Sequence, residues 1–212
     1  MAQTKNYHHG DLKPALVQAA RDILRDQGAG ALSLRSIAAA IGVSHMAPYS
    51  HFKNKQELLR AVAAAGFDEL SERMLAVQGE RAKGRQLAVR YGAEYMRFAL
   101  EHRELYRIMM GQLEPAGAGA PSEKKQNRNA NADSDAGADA PDEIRASLRR
   151  PFLLLYGAFA SGRLDKQTAR ARAIGAWSTV HGMAALIIDG HLAVPEGMDA
   201  VDLFKAAVGG RG

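Results

Sequence analysis

The chain has 212 residues, enough for one large domain or two small ones, and its 47% hydrophobic and 24% charged residues are typical of an ordinary globular protein. It contains no cysteine, which excludes disulfides, thiolate metal sites and cysteine nucleophiles. No apolar run approaches the roughly 18 residues that a membrane span needs, and the polar N-terminal stretch lacks a signal-peptide core. We therefore expect a cytoplasmic protein without a membrane partner.

The positive charge is concentrated in the N-terminal part of the chain. The net charge is +5, and residues 1–60 hold eight lysines and arginines against four acidic residues. A basic segment attached to a near-neutral remainder suits binding to a polyanion, because neutralising phosphates supplies much of the affinity for DNA. By itself the asymmetry is a weak indication, since many enzymes are as basic.

The first third of the chain contains four predicted helices. Apolar residues recur at helical spacing over residues 11–27, and a short helix follows over 33–42, where Gly42 ends it. Another short segment covers 44–51, and a longer helix covers 54–78. The later helices of this region begin after serine or asparagine, the residue types that cap helix N-termini.

The rest of the chain is also predicted to be helical, with one interruption. Two helical patterns occupy residues 84–112, and further helices are expected from 142 to about 162, over 165–190 and over 199–208. The segment at about 114–141 has almost no large apolar residue, so it cannot bury enough surface to offset its ordering entropy, and we expect a disordered loop there. The scarcity of β-branched runs favours an all-α fold.

The most informative stretch is residues 32–59, which reads as two short helices joined by a tight turn at Gly42. The second helix carries few charges but many hydrogen-bonding or flat side chains, which suits insertion against base edges: Ser44, His45, Met46, Pro48, Tyr49 and His51. Lys55 begins the next helix, where its ammonium and nearby N–H groups can meet a phosphate. The alternative is that these are two packing helices of a plain bundle.

The order of these features resembles the DNA-binding domain of the TetR/AcrR family over about residues 7–66. A serine-initiated helix, a Gly-Val-Ser turn, Tyr-x-x-Phe and Lys-x-x-Leu follow one another, with Ile41 where alanine is common before the turn glycine. Trp177 and His181-Gly182 resemble the C-terminal signature of a branch with a Trp-His-Gly domain. The resemblance implies an N-terminal three-helix helix-turn-helix head, over residues 1–53, followed by a helical-bundle effector and dimerisation domain, over 54–212.

The resemblance also implies roles for individual residues. The residues from Ser44 to His51 quoted above map onto the recognition helix, Tyr49 and Lys55 map onto phosphate contacts, and Ser33 and Arg35 map onto the supporting helix. Preceding residues can extend along the minor groove as an arm: Lys5, His8 and His9. Adjacent histidines seldom bind one ion together, so we expect no metal, and no cofactor is implied.

Trp177 and His181 lie four residues apart and therefore on one helix face. They are candidates to line an effector cavity, opposite apolar and aromatic residues of other helices: Tyr91, Tyr95, Phe98, Met109, Met110, Phe152 and Tyr156. For most of these side chains a place in the core is the simpler alternative. His181 is the exception, because a polar residue in an apolar stripe needs a partner, either a ligand or a hydroxyl such as that of Tyr95.

We expect no enzymatic activity. Ser161 or Ser178 with His181 and Asp189 can be combined into a hydrolase triad on paper, but the sequence has no Gly-x-Ser-x-Gly, P-loop or His-Glu-x-x-His motif. An all-helical pattern also provides no strand on which to mount a strained nucleophile.

The function expected from these observations is a sequence-specific transcription regulator, a ligand-responsive repressor that binds a palindromic operator in double-stranded DNA as a homodimer. In the family the last two helices form the dimer interface, whereas intramolecular packing is the alternative for the same apolar faces. An activator or a nucleoid-associated protein would use the same head. The competing hypothesis from another class is a small-molecule-binding or ligand-modifying helical protein with a vestigial head.

Overall fold

The computed structural model describes residues 12–79, 81–111, 142–162 and 164–208, and this part of the chain contains helices and no strand. The all-α prediction is confirmed. The eight α-helices of the described residues are α1 (Leu12–Gln27), α2 (Leu34–Ala40), α3 (Lys55–Ala76), α4 (Gly84–Glu101), α5 (Arg103–Gly111), α6 (Asp142–Ala160), α7 (Lys166–Ile188) and α8 (Ala200–Val208). Two short 3-10 helices, Ala29–Ala31 and Ala47–Ser50, lie between them.

The helices agree with the sequence prediction to within a few residues at their ends, with one difference in kind. The predicted second helix of the helix-turn-helix is a single 3-10 segment rather than an α-helix. The expected loop at about 114–141 and the arm residues Lys5, His8 and His9 lie outside the described residues. None of the helices in the described ranges combines the length and the apolar character that crossing a bilayer requires.

The chain divides into two compact units. The first comprises the described residues within Met1–Gly66 and Glu104–Ala146. In its core α1 packs on α2, and α2 packs on the second 3-10 helix; buried side chains of this unit include Leu16, Leu24, Ile37, Phe52, Leu58 and Val62. Within this unit Gly66 lies against Met109, where an added Cβ would stand 2.7 Å from the Met109 sulfur.

The second unit comprises the described residues within Phe67–Arg103 and Ser147–Gly212, and α4 is its central helix. Every residue of α4 from Tyr91 to Met96 is buried, and α4 contacts both α7 and α8. The carboxylate of Glu94 accepts hydrogen bonds from Arg73 at 2.6 Å and Arg97 at 2.9 Å. A buried carboxylate without a partner would lower the stability of the fold, and these two guanidinium groups compensate the negative charge of Glu94.

Gly92 is the point at which α8 reaches α4. A Cβ added at Gly92 would lie 2.3 Å from Cζ of Phe204, closer than any real contact allows. The Phe204 ring is itself buried, so it has little room to move away. The close approach of the two helices therefore depends on glycine at this position.

We predict that Gly92→Ala lowers the free energy of unfolding by about 1–3 kcal/mol, because it overpacks the contact with Phe204. Urea unfolding followed by circular dichroism measures the change. The matched control is Gly157→Ala on α6, where an added Cβ meets nothing within 4 Å, and where the same substitution should stabilise by about 0.5–1 kcal/mol. Equal effects of the two substitutions would contradict the proposed role of Gly92.

Candidate functional site

The turn between α2 and the 3-10 segment is fixed at both ends of α2. At its start the Ser33 hydroxyl accepts a hydrogen bond from the Ser36 N–H at 3.0 Å, and the Ser36 hydroxyl accepts one from the Ser33 N–H at 2.9 Å. At its end the N–H of Val43 donates to the Ala38 carbonyl and the N–H of Gly42 to that of Ala39. Gly42 has a φ of +71°, the left-handed conformation that this type of helix ending requires.

The segment after the turn is a single 3-10 helix, Ala47–Ser50, and Pro48 lies in its first turn, where a missing N–H costs no hydrogen bond within the helix. Ala47 N–H donates to the Ser44 carbonyl, Tyr49 N–H to that of Met46, and His51 and Phe52 N–H to that of Pro48. The Phe52 ring is buried and anchors the segment from beneath. The side chains on the other side of the segment are consequently left in solvent.

Most of the predicted DNA-contacting residues are exposed, both around the 3-10 segment and at α2 and the start of α3. Met46 is 72% exposed and Tyr49 is 45% exposed, which is unusual for large apolar and aromatic side chains. The other exposed members of the predicted set are Ser33, Arg35, Ser44, His45 and Lys55, and His51 is partly exposed. Pro48 differs, since its ring is buried and offers no contact surface.

Lys55 is the first residue of α3, and the start of this helix is capped by side chains. The Asn54 side-chain oxygen accepts a hydrogen bond from the Glu57 N–H at 2.9 Å, and the Glu57 carboxylate accepts one from the Lys53 N–H at 2.7 Å. A helix N-terminus attracts anions through its partial positive charge. Lys55 thus adds a full positive charge where the backbone already favours a phosphate.

The second unit contains a cavity of about 630 Å³. Aromatic side chains from several helices form much of its wall: Tyr91 and Tyr95 on α4, Phe159 on α6, Trp177 on α7 and Phe204 on α8. Tyr95 and Trp177 meet edge to face, with their ring centroids 5.4 Å apart. Cavities of this size with mostly apolar walls are typical of small-molecule sites.

The structure brings together some of the predicted effector residues and separates others. Tyr91, Tyr95 and Trp177 line the cavity, and the Phe152 ring meets Trp177 edge to face at 6.2 Å. Phe98 does not line it: its ring lies beside His102, with the Arg73 guanidinium 5.6 Å from the ring centroid. Met109 belongs to the first unit and is buried there against Gly66.

Most of the residues that line the cavity were not predicted from the sequence, and Arg85, Arg172 and Phe204 are among them. Arg85 donates a hydrogen bond to the Val208 carbonyl and so joins the start of α4 to the end of α8. The sequence signal for Phe204 was its place in a short apolar helix, which does not identify the neighbour of that helix.

His181 lies behind the aromatic wall rather than in it. The Tyr95 hydroxyl oxygen is 3.3 Å from His181 Nδ1, and this hydroxyl is one of the two kinds of partner that the sequence indicated for the histidine. Burial lowers the pKa of His181, because desolvation disfavours the charged imidazolium. In the neutral imidazole with its proton on Nε2, the Tyr95 hydroxyl donates this hydrogen bond, which holds the Tyr95 ring against Trp177.

Two family models match the chain. The model described as bacterial regulatory proteins of the tetR family matches residues 16–62, and the model described as the tetracyclin repressor-like C-terminal domain matches residues 89–209, more than half of the chain. A comparison with curated proteins gave no match.

Several solved structures have a similar fold. A protein of unknown function from Rhodococcus sp. RHA1 is 29% identical, with 97% of this chain and 96% of that chain covered and a TM-score of 0.69. A TetR family transcription regulator from Marinobacter aquaeolei VT8 is 18% identical, with 94% of each chain covered and a TM-score of 0.57. A TetR variant from Acinetobacter baumannii AYE in complex with minocycline is 19% identical, with 96% and 93% covered and a TM-score of 0.59.

The lowered pKa of His181 predicts a pH dependence of stability. Between the lowered folded pKa and the ordinary value of 6.5, the unfolded chain binds more protons than the folded one. The free energy of unfolding should therefore fall as the pH drops below 6.5, and the contribution of His181 should level off below the folded pKa. Urea unfolding at pH 7.5 and at lower pH measures this slope.

The matched variant is His181→Gln, which keeps a hydrogen-bonding side chain but does not titrate. Its pH slope should be shallower than that of the wild type across the same window, because other groups titrate equally in both proteins. Identical slopes would show that His181 titrates as it does in the unfolded chain.

Proposed function

The chain belongs to the tetR family of bacterial regulatory proteins, and on that premise we propose that it is a ligand-responsive repressor that binds a palindromic operator as a homodimer. The observation that carries the proposal is the exposed face of the 3-10 segment beside Lys55. We assign residues 1–53 to DNA binding and 54–212 to effector binding and dimerisation, in the cytoplasm, and we propose no catalytic role. The Trp177 and His181-Gly182 signature on α7 supports the Trp-His-Gly branch of the family.

Base reading is assigned to the side chains that the short segment leaves in solvent. Ser44 and His45 can donate and accept hydrogen bonds, and Met46 offers an apolar contact for a thymine methyl group. Tyr49 and Lys55 are assigned to phosphates, which fix the register of the head on the duplex. Ser33 and Arg35, with partly exposed His51, complete the proposed surface, and the buried Pro48 is not part of it.

Dimerisation is assigned to α7, as expected from the sequence, and to α6 rather than mainly to α8, because α6 and α7 each expose large apolar side chains. Leu153 is 56% exposed, Ile174 is 49% exposed and Leu186 is 46% exposed. The proposed α8 contribution is smaller, since Val201 and Phe204 are buried within this chain. A two-fold pair of heads binds half-sites about 34 Å apart, one turn of DNA, and so multiplies the weak affinity of a single short recognition segment.

Effector control is assigned to the cavity of the second unit. A ligand releases the repressor only if it binds more tightly to the conformation that does not fit the operator. The minocycline complex of the Acinetobacter TetR variant supports small-molecule binding on this fold.

We predict that Tyr49→Ala and Lys55→Ala each weaken binding to DNA from the region flanking the protein's own gene by about tenfold. Gel-shift titrations over a range of salt concentrations measure the effect. Lys55→Ala should also make the salt dependence less steep, by about one unit of slope for each phosphate that the variant fails to neutralise.

The control for removal of a charge is Arg25→Ala, because Arg25 is also exposed but is paired with Asp22 and Asp26. The affinity of Arg25→Ala for DNA should match that of the wild-type protein. Unchanged affinity in both Tyr49→Ala and Lys55→Ala would refute the proposed surface. If the wild-type protein shows no shift at low salt and turns over a small substrate, the ligand-modifying alternative with a vestigial head is favoured instead.

We predict that Leu186→Glu on α7 weakens self-association by about tenfold or more, because it places a charge in the proposed apolar interface. Size-exclusion chromatography with light scattering over a concentration series measures the dimer fraction. Leu75→Glu, which changes an exposed leucine on α3, is the control and should remain dimeric. A monomeric wild-type protein would contradict the homodimer.

A further inference from the structure

We propose that the cavity of the second unit binds an apolar molecule with a single anionic group, whose body lies among the aromatic rings and whose anion lies at Arg172, with Arg85 adding positive charge to the same wall. The inference rests on the proposed function in one respect only, namely that this cavity is the effector site. It goes further in assigning the chemical class of the effector.

The wall of the cavity selects the apolar body. Aliphatic and aromatic carbon dominates it, with Met74, Leu155 and Val180 beside the five aromatic rings. Burying apolar surface here is favourable by the ordinary hydrophobic effect, and a volume of about 630 Å³ is within the range of small-molecule sites. The wall therefore favours a hydrocarbon or aromatic body over a sugar or a nucleotide.

Charge on the wall selects the anion. Among the described residues that line the cavity, Arg85 and Arg172 carry charge and none is acidic. Both arginines are exposed, on α4 and α7 respectively, so they stand where the cavity meets solvent. An anion at this position keeps part of its hydration while it gains charge-assisted hydrogen bonds from a guanidinium group.

The polar groups deeper in the wall do not offer a second charged site. Burial raises the pKa of Tyr91, so its hydroxyl stays protonated and neutral. The Tyr95 hydroxyl is engaged by His181, whose pKa is lowered by burial and which is therefore neutral at pH 7.5. A cationic ligand would meet the like charge of the two arginines, and this repulsion costs free energy.

The chain carries its own reporter for this test. Trp177 lines the cavity and is the single tryptophan of the sequence, so its fluorescence reports occupancy of this site. Three probes share one apolar chain and differ in the charge of the head: decanoate, decanol and decylammonium. Titration at pH 7.5 should give the tightest Kd for decanoate, about threefold to tenfold tighter than for decanol, and the weakest for decylammonium.

Two charge-reversal variants locate the anion. Arg172→Glu should weaken decanoate by about tenfold or more, leave decanol nearly unchanged and strengthen decylammonium. Arg170→Glu reverses the charge of another exposed arginine on the same helix, outside the cavity, and should change the three Kd values little.

Equal Kd values for decanoate and decanol in the wild type, or tightest binding of decylammonium, would overturn the proposal. Equal decreases of decanoate affinity in Arg172→Glu and Arg170→Glu would also overturn it. Such a result would indicate that decanoate responds to the overall positive charge of the helix rather than to a site at Arg172. None of these outcomes would change the DNA affinities expected for the Tyr49 and Lys55 variants. Conversely, a protein that binds decanoate as expected but shifts no DNA would overturn the proposed regulatory function and not the ligand class.

Discussion

The burial of α4 on all sides is the constraint on which the second unit depends. A helix whose residues are buried from Tyr91 to Met96 has no solvent-exposed face there on which an unpaired polar group is tolerated. Glu94 is therefore paired with Arg73 and Arg97, and glycine at position 92 leaves only a hydrogen atom where Phe204 arrives. Space that the packing leaves on the side of Tyr91 and Tyr95 becomes the cavity.

The first unit differs from the second, because it holds the side chains of the proposed DNA surface outside its core. Gly42 reverses the chain in a conformation that is costly for other residues, and the segment that follows is a single short 3-10 helix. Phe52 then fixes the segment from within. Exposure of Met46 and Tyr49 is thus a consequence of the local backbone and not of a general lack of packing.

Local signals in the sequence were sufficient to predict the helices and the turn of the helix-turn-helix. Ser33 and Gly42 mark the ends of α2 through hydrogen bonds to residues only a few positions away, so their roles can be predicted from the residue types. Helical periodicity also indicated that the apolar side chains of Phe98 and Met109 face the protein interior. Periodicity does not identify the residues that pack against them. The link from Arg85 to Val208 spans 123 positions, and no local pattern predicts such a contact.

The close fit of α8 on α4 has an evolutionary consequence. A nine-residue helix supplies Phe204 and Val208 to the cavity and meets α4 at the notch of Gly92, while no residue of α8 belongs to the proposed DNA surface. Exchange of α8 between relatives would thus remodel the volume and shape of the cavity and leave the proposed DNA surface unchanged. Under the proposed function, ligand preference can therefore diversify through one short helix rather than through the whole bundle.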